Sequence, residues 1–456
     1  MSRKSAVPLT FCFLCAGMLL SLSCGGKTFL LGGINPVASS ASVTVTISDP
    51  VVCNVTQGGP FQHIYVTISD VQAYTSADQV QNGVDLTPNL SQNPMQVDLL
   101  GSPRSGCTLA TLGSSAPVAP GTYQAIRIFL AGTDQVSTIS GGTKCPNTSF
   151  GPAANCAVLA NQTAIYLDPA TAGSSPFAAN LLSGRLSFSS GAQTINIDFD
   201  SCASMMVVSA GNYGLNPAVH AALMASPGSI TGKVVDASSL QPIAGSVIVA
   251  LEAIDSNGVD REIMQTAPAS DGSLVLCPVP FGSFDIVATA ISSTHVAYAA
   301  TVVVGVQPSN TVGTVPLQAV TGKNIAPAVI AGQVTITGPA GLGGFSPLSV
   351  SALQNVTAQE ASVLITIPLP SIYTSSLSTA AATLANYSMN VPAENPLIGI
   401  FVPNGQITYQ QGTSAVSYTV NALSWCNPAS GQIAVGVSSG QTSTAPTIAL
   451  TGCPPA

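Results

Sequence analysis

The stretch Ser42–Pro50, SVTVTISDP, shows the pattern on which the fold of this chain depends. Its valines and isoleucine alternate with serine and threonine, and successive side chains of a β-strand point to opposite faces. A strand with one buried and one polar face is therefore predicted here. The stretch HIYVTISDVQAYTS, residues 63–76, repeats the alternation, and TYQAIRIFLAG, residues 122–132, predicts a third strand of the same kind.

The composition extends this prediction to the rest of the chain. Hydrophobic residues make up 46% of the sequence and charged residues only 6%. Beyond the N-terminal segment, however, no uninterrupted apolar run reaches the ~18 residues that a membrane span requires. The apolar residues form short Val/Ile/Leu runs separated by Ser, Thr, Gly and Pro. We therefore predict an all-β protein of tandem antiparallel β-sandwich domains.

The N-terminal segment, residues 1–23, has the features of an export signal. Arg3 and Lys4 precede the apolar run Ala6–Leu22, which ends in small residues rather than in a basic flank. Such a segment is removed during export. Cleavage before Cys24 would leave a new N-terminal cysteine, whose thiol and amine can both carry fatty acyl chains.

The tetrapeptide SLSC that ends at Cys24 resembles the lipobox of bacterial lipoproteins. The resemblance implies that residues 1–23 are a cleaved lipoprotein signal peptide and that Cys24 is lipidated. Gly25 is not the aspartate associated with inner-membrane retention, so the outer membrane is the expected location. Residues 24–41 are predicted to form a flexible tether. The alternative is an ordinary secretory signal with Cys24 as a spare thiol.

The charge balance excludes nucleic acid as a partner. The chain has 18 acidic and 10 basic residues, a formal net charge of −8, and loss of the signal would remove two basic residues. No basic patch is present to neutralise phosphates. The expected partners are the membrane, reached through the N-terminal lipid, and a cell-surface glycan or another envelope protein.

Eight cysteines follow Cys24, an even number that disulfide pairing in an exported protein would require. The spacing favours Cys145 with Cys156, which closes a short loop, and Cys426 with Cys453, which would hold the C-terminal strand. A zinc site is the competing interpretation, but none of these cysteines forms a CxxC pair or stands near a histidine at ligand spacing. The remaining four have open connectivity: Cys53, Cys107, Cys202 and Cys277.

Residues 42–225 contain several short motifs in a characteristic order. They are TISDP, FQHIYVTISDV, VDLL, PGTYQAIRIFL, and INIDFD followed by YGLNPAV. In this order they resemble a bacterial family of lipid-anchored exported proteins, domain-of-unknown-function family 4382. The resemblance implies no established activity.

Residues 226–322 carry a second series of motifs, GKVVD, PIAGSVIV, DG and PFGSF. This series resembles the carboxypeptidase-regulatory-like, or transthyretin-like, β-sandwich, with Phe284 where tyrosine is usual. The resemblance implies membership of a carbohydrate-binding-like fold group. The pair Asn257-Gly258 predicts a hairpin turn between the two halves.

Residues 330–456 echo the second series. IAGQVTITG matches the opening ITGKVVD, and both stretches continue to a V-x-A-L sequence. We therefore predict a C-terminal β-sandwich that is a diverged repeat of the preceding one. The inserted stretch SSLSTAAATLANYS, residues 375–388, is predicted to form a short helix.

Few residues are candidates for chemistry. The motifs GxSxG, HExxH and GxxxxGK[ST] are absent, and His63, His220 and His295 are expected to be structural or solvated. Asp198 and Asp200 project from one face of a strand, where they could bind a cation or, as we expect, face solvent. No catalytic residue, metal site or cofactor is predicted.

The stretch AIDSNGVDRE also has carboxylates in a calcium-like spacing. Its glycine stands two residues too early for a calcium loop, so the hairpin interpretation is favoured.

A covalent crosslink is a further hypothesis for residues 226–322. Some bacterial surface sandwiches join a lysine to an asparagine beside a buried carboxylate, with loss of ammonia. Lys233, Glu252 and Asn310 are the residues of this chain that would fill those roles.

Together these observations predict a non-catalytic, lipid-anchored cell-envelope protein that acts as a structural or ligand-binding surface module. The first alternative is a carbohydrate-binding module, although aromatic residues are only 5% of the chain and Trp425 is its sole tryptophan. The second alternative is a hydrolase with an unrecognised site.

Overall fold

The computed structural model contains β-strands almost throughout its described part. It describes residues 40–49, 60–77, 79, 81–101, 107–146, 148, 151–167, 176–181, 184–209, 212–215, 217–224, 228–255, 258–322, 324–337, 349–358, 361–368, 373–376, 382–413, 416–423 and 430–451. All of them belong to one compact unit, Ser39–Ala456. The predicted signal peptide, Cys24 and nearly all of the predicted tether lie outside these ranges.

We call residues 42–225, 226–322 and 330–456 the first, second and third regions, a division that is a prediction from the sequence. The first region contains a 3-10 helix, Thr133–Thr138, and helix α1, Ser201–Ser204. Its strands are β1 Ala41–Ser48, β2 Phe61–Tyr74, β3 Val84–Asp85, β4 Met95–Asp98, β5 Ala110–Val118, β6 Gly121–Tyr123, β7 Ala125–Leu130, β8 Cys156–Leu159, β9 Ala164–Tyr166, β10 Phe177–Leu181, β11 Leu186–Phe188, β12 Gly191–Asp200, β13 Met205–Ser209, β14 Asn212–Leu215 and β15 Ala218–Leu223.

Eighteen further strands follow. The second region contains β16 Gly228–Asp236, β17 Gly245–Ile254, β18 Asp260–Thr266, β19 Ser273–Val279, β20 Phe284–Ser292, β21 Ala297–Val306 and β22 Thr311–Leu317. The remaining strands are β23 Ala328–Thr337, β24 Ser349–Ala358, β25 Ala361–Thr366, β26 Tyr373–Ser376, β27 Ala382–Val391, β28 Leu397–Ile400, β29 Tyr409–Gln411, β30 Ser417–Leu423, β31 Ser430–Gly436, β32 Thr442–Thr444 and β33 Ile448–Leu450.

The opening stretch of the first region forms β1, as its alternating pattern predicts. Val43, Val45 and Ile47 are fully buried, while the serine and threonine residues between them are partly exposed. β1 lies between β5, its antiparallel neighbour, and β12, which runs parallel to it. These strands belong to an eleven-stranded sheet with the order β5-β1-β12-β15-β10-β7-β2-β8-β9, in which β3 and β4 also pair with β2.

The other described sheets combine strands that are far apart in the sequence. They are β11-β6, β19-β16-β22, β18-β17-β20-β21-β28-β29, β25-β24-β30-β31, and β14-β13-β26-β27-β23-β32 with β33 also on β23. β13 and β14 of the first region thus extend a sheet of the third, through parallel pairing of β13 with β26. Likewise β28 of the third region pairs in parallel with β21 of the second.

Three large apolar clusters form the core. One is built from the first region, one mainly from the second and one mainly from the third. The third cluster also includes Val287, Ala300 and Val302 of the second region. The core therefore continues across the boundary between the second and third regions.

Two local predictions have clear outcomes. β17 and β18 form the antiparallel hairpin that Asn257-Gly258 predicted, with Ile254 opposite Asp260 and Gly258 at φ +76°. The helix predicted for residues 375–388 is wrong, because the described parts of that stretch form β26 and β27. β27 pairs with β23 along all ten residues, and this tertiary pairing outweighs the helix propensity of the alanines.

Candidate functional site

Strand β18 is the element from which the candidate site is built. It is an edge strand of its sheet, paired with β17. Gln265 on β18 donates from Nε2 to Asp200 Oδ2 of the first region, over 2.8 Å. Thr366 of the third region donates from Oγ1 to the carbonyl of Asp260 on β18, over 2.7 Å. β18 therefore contacts both neighbouring regions.

Three carboxyl groups of the first region lie where β18 contacts that region. β1 and β12 are parallel and in register, with Ser48 opposite Asp198, so both strands end at the same edge. Asp49, Asp198 and Asp200 consequently lie together, and each is at most 5% exposed. Ser48 Oγ donates to Asp198 Oδ1 over 2.7 Å and itself accepts a hydrogen bond from Asn196 Nδ2.

Burial raises the pKa values of Asp198 and Asp49, which favours their protonated forms. It raises the pKa of Asp198 to about 8, with a further contribution from Asp200 that the Ser48 hydroxyl partly opposes. The pKa of Asp49 is raised well above its usual value, first by burial and then by the charges of Asp200 and Asp198. Removing a carboxylate from water without a cation favours its neutral form.

Glu262 brings a carboxyl group of the second region to the same place. It lies on β18 within hydrogen-bonding reach of Asp200, and its pKa is raised well above the usual value, first by burial and then by Asp200. His220 lies opposite Asp198 on β15. Burial lowers the pKa of His220 to about 4, so the imidazole is neutral near pH 7 and supplies no compensating charge.

A second group of carboxyls continues the array into the second region. Glu252 on β17 lies opposite Glu262 of β18 on one side and Asp285 of β20 on the other. Asp260, at the start of β18, lies within hydrogen-bonding reach of Asp285. Glu252, Asp260 and Asp285 are 0%, 2% and 6% exposed, respectively.

The second group also favours protonated carboxyls. Burial and the neighbouring Asp285 raise the pKa of Asp260 to about 7, and burial raises the pKa values of Glu252 and Asp285. Two backbone donors partly oppose this effect. Thr366 N donates to Glu252 Oε2 over 3.0 Å, and Gly305 N donates to Asp285 Oδ1 over 2.9 Å.

We call these seven residues the carboxyl array: Asp49, Asp198, Asp200, Glu252, Asp260, Glu262 and Asp285. Arg261 lies on the same strand, but its Nε is bound to Asp255 at 3.1 Å and its Nη1 donates to Asn421 Oδ1 at 2.9 Å. In the described ranges, no group of three or more His, Cys, Asp and Glu side chains is arranged to bind a metal ion. Chemically, the array is suited to holding protons between carboxyl groups.

The sequence prediction for Asp198 and Asp200 is therefore wrong in one respect. They were expected to face solvent, but both are buried because β12 is a central strand between β1 and β15. Asp49 and Asp285 were not singled out as part of a site, and Glu262 only as part of the calcium-like stretch AIDSNGVDRE. The available signal was the recurrence of acidic residues at the ends of apolar strands, as in TISDP and INIDFD.

Four of the described cysteines form two disulfides. Cys145 is joined to Cys156, the pair that the spacing favoured, with a Cα–Cα distance of 5.9 Å. Cys107 of the first region is joined to Cys277 of the second, with a Cα–Cα distance of 5.6 Å. Cys202 lies in α1, but the structure does not describe its side chain. Three further candidates lie wholly outside the described ranges: Cys53, Cys426 and Cys453.

The structure does not bring the proposed crosslink residues together. Lys233 is exposed on β16, whereas Glu252 is fully buried and bound to Thr366 N. Asn310 donates from Nδ2 to the carbonyl of Gln307 over 2.9 Å. The crosslink needs the lysine amine and the asparagine amide beside a buried carboxylate. Because Lys233 is exposed, its amine does not lie beside the buried Glu252.

The remaining histidines have different surroundings. His63 Nδ1 lies 2.7 Å from Asp98 Oδ2 and its ring stacks on Tyr65, while His295 is exposed. A cavity of about 90 Å³ lies elsewhere, between β17, β20 and β27, and its lining includes Ile248, Thr289 and Met389. No Asp, Glu or His lines that cavity.

The fold and the site define an all-β protein with several separate sheets and two disulfides. Its first region is similar to a known family: the family described as Domain of unknown function (DUF4382) matches residues 40–217. This agrees with the motifs found in residues 42–225. No curated protein matches the chain.

Several solved structures align with the chain at low similarity. A candidate adhesin from Bacteroides ovatus aligns at 9% identity and a TM-score of 0.16, covering 46% of this chain and 83% of that one. The Bacillus anthracis TIE protein aligns at 8% identity and a TM-score of 0.17, covering 90% of this chain and 50% of that one. The shaft pilin SpaA from Lactobacillus rhamnosus GG aligns at 11% identity and a TM-score of 0.18, covering 62% of this chain and 99% of that one. At these TM-scores the alignments assign no function to this chain.

Proposed function

We propose that this chain is a non-catalytic structural module of the cell envelope, exported and anchored by lipid at Cys24 to the bacterial outer membrane. The observation that carries the proposal is the pair of disulfides, Cys107–Cys277 and Cys145–Cys156. Disulfides form and persist in oxidising compartments outside the cytoplasm. They therefore support the export that the N-terminal signal predicts.

The linkage between regions supports a structural role. The Cys107–Cys277 bridge joins the first region to the second, and the pairing of β13 with β26 joins the first to the third. Pulling one region away would require breaking a covalent bond or a run of sheet hydrogen bonds. We propose that the three regions act as one mechanically continuous body that holds its surface loops at a distance from the membrane.

We propose further that the second region is a carboxypeptidase-regulatory-like β-sandwich. Its two sheets, β19-β16-β22 and the one containing β17 and β20, enclose an apolar cluster. The glycines of its motifs have the backbone conformations that such turns need, with φ +150° at Gly245 and +83° at Gly272. These features support the assignment without naming a ligand.

The alternatives receive less support. A glycan site needs exposed aromatic platforms, and among the described aromatic residues only Phe281, at 86%, is an exposed large side chain. Trp425 lies outside the described residues. A hydrolase needs an accessible acid or base, whereas six of the seven members of the carboxyl array are buried and only Glu262 is partly exposed. His63 and Asp98 are the accessible pair, and His63 Nδ1 lies 2.7 Å from Asp98 Oδ2.

The anchoring proposal is tested by metabolic labelling with an alkyne-bearing fatty acid in a bacterial host. We expect the wild type to be labelled and to sediment with membranes, whereas Cys24→Ala is unlabelled and no longer sediments. Cys12→Ala/Cys15→Ala is the matched control, because these cysteines precede the predicted cleavage point and are removed with the signal. Membrane binding of Cys24→Ala equal to that of the wild type would overturn the lipid anchor.

The export proposal has a separate readout. Non-reducing peptide mapping of protein recovered from the periplasm or surface should find Cys107 linked to Cys277. Free thiols at both positions would contradict an oxidising location, whatever the result for Cys24.

A further inference from the structure

The carboxyl array contains pairs of acceptor groups that face each other across strands. Glu262 of β18 faces Asp200 of β12, and Asp260 of β18 faces Asp285 of β20. Two ionised carboxylates can only accept hydrogen bonds, so neither can satisfy the other. A single proton placed between them turns the repulsive contact into a hydrogen bond.

Unmet acceptors occur in five of the seven members of the array. In the described part of the chain, five carboxyl oxygens are buried without a hydrogen-bond donor: Asp49 Oδ2, Asp198 Oδ2, Glu252 Oε1, Asp260 Oδ1 and Asp285 Oδ2. Leaving a buried acceptor unsatisfied carries a desolvation cost, which is larger for a charged group. Protonation of the carboxyls removes both the charge and part of that cost.

The elements packed around the array do not supply the missing positive charge. β15 contributes the neutral His220, and β25 contributes Thr366, which has no charge. Arg261 on β18 is the one cationic side chain described beside the array, and it is held by Asp255 and Asn421. The other titratable groups that face the array are Asp255, whose charge acts on Asp260, and the array's own members: Asp49 next to β1, Asp198 and Asp200 on β12, Glu252 on β17, Asp260 and Glu262 on β18, and Asp285 on β20.

We propose that the carboxyl array is a proton-operated latch, in which protons shared between facing carboxyl groups hold β18 against Asp200 of the first region and Asp285 of β20, and their loss releases it.

β18 is the element that such a latch would release. As an edge strand it is held in its sheet by β17 alone. On its other sides it is held by contacts that involve the array or lie next to it, from Gln265 to Asp200 and from Thr366 to Asp260. Ionisation adds repulsion between the facing carboxyls, Glu262 against Asp200 and Asp260 against Asp285, while the disulfide and the β13–β26 pairing keep the regions connected.

The direction of the pH effect follows from the raised pKa values. A carboxyl that is buried and protonated when β18 is docked, and ionised when β18 is released, gives up one proton on opening. Opening is then unaffected by pH below about pH 4, the usual range for an exposed carboxyl, and becomes easier as pH rises toward about 7 for Asp260 and about 8 for Asp198. In that window the opening equilibrium increases by about tenfold per pH unit for each such group.

The latch is tested by amide hydrogen exchange of β18 in the full mature chain at pH 5, 7 and 9, corrected for the intrinsic exchange rate. We expect protection of Asp260–Thr266 to fall as pH rises, with a smaller change in β16 and β24. The double variant Glu262→Gln/Asp260→Asn replaces two acids of β18 by amides, which can donate to Asp200 and Asp285 without a shared proton. Its β18 protection should change much less with pH.

Asp134→Asn is the matched control, because Asp134 is exposed in the 3-10 helix. It should reproduce the pH profile of the wild type. If β18 protection in the wild type is independent of pH, or if the double variant keeps the wild-type profile, the latch is wrong. Repetition at pH 8 with calcium or with EDTA distinguishes a cation site: recovery of full protection with calcium would overturn the proton latch.

Discussion

Thr366 donates its backbone N–H to Glu252 Oε2 over 3.0 Å, although the two residues are 114 positions apart in the sequence. Glu252 is fully buried, and its acceptor therefore depends on a strand supplied by another region. The same threonine donates its hydroxyl to the carbonyl of Asp260. One residue of β25 thus binds both strands of the β17–β18 hairpin and connects them to the third region.

Asp198 should make the folded chain less stable as pH rises. Its pKa is raised to about 8 by burial, so its contribution is fully present below about pH 4 and is lost as pH rises through 8. Asp198→Asn keeps an oxygen acceptor for Ser48 and has no charge. We expect the variant to be more stable than the wild type at pH 8, by up to about 1.4 kcal/mol for each pH unit of the shift. Urea unfolding at pH 4, 6 and 8 gives the free energy of unfolding of both proteins. If that free energy changes with pH equally in the wild type and in the variant, the prediction is refuted.

Asp236 should show the opposite pH dependence. Its Oδ1 accepts hydrogen bonds from Ser238 and Ser239, and its Oδ2 accepts one from the Tyr298 hydroxyl. The Ser238 hydroxyl, with these other donors, lowers the pKa of Asp236 to about 2. The stabilisation is therefore present above about pH 4 and is lost as pH falls through 2.

The test for Asp236 is thermal or urea unfolding of Asp236→Ala. Because the carboxylate is partly exposed and screened, we expect a loss of only about 1 kcal/mol at pH 7. The difference from wild type should shrink at pH 2. A loss that stays constant between pH 7 and pH 2 would show that the charge is not responsible.

Removal of the Cys107–Cys277 bridge should destabilise the chain more than removal of Cys145–Cys156. The two bridges span 170 and 11 residues, respectively. A longer closed loop restricts the unfolded chain more, so we expect losses of about 5 and about 3 kcal/mol for the paired alanine variants. Denaturant unfolding without reductant measures both. Equal losses would mean that loop length does not set the contribution.

Gly272 and Gly258 provide a matched pair for the cost of a methyl group in a turn. Both have positive φ, +83° and +76°, but a Cβ on Gly272 would lie 2.5 Å from the carbonyl oxygen of Val234. Nothing lies within 4 Å of a Cβ on Gly258. We expect Gly258→Ala to cost about 1 kcal/mol from strain alone. Gly272→Ala should cost about 3 kcal/mol, because the clash is added to the strain. Midpoints of thermal unfolding that rank the variants in the opposite order would contradict this account.

The all-β class and many strands could be predicted because their evidence is local. The alternation in SVTVTISDP places Val43, Val45 and Ile47 on one face whatever the partner strand is. The Asn257-Gly258 pair is an equally local signal, and the β17–β18 hairpin that it predicts is present. The parallel pairing of β1 with β12 could not be read in this way, because it joins residues about 150 positions apart and no local rule selects the partner.

The candidate site was missed for the same reason. Asp198 and Asp200 look like the polar face of an edge strand until β15 and β18 are placed beside them. The stretch with residues 382–388 resembles a helix by composition, and only its alignment with β23 shows why it is extended. Burial is a property of the neighbours, so a pattern along one strand does not determine it.

The parallel pairing of β13 with β26 also constrains the order in which the molecule matures. Met206 aligns with Tyr373, so this strand of the first region cannot pair with β26 until more than 160 further residues have been made. Such distant contacts form slowly, because the chain must lose the entropy of closing a long loop before the contacts can stabilise it. Until then the first region carries an unpaired strand edge, which is the part of the folding chain most exposed to wrong pairing, chaperones or proteases.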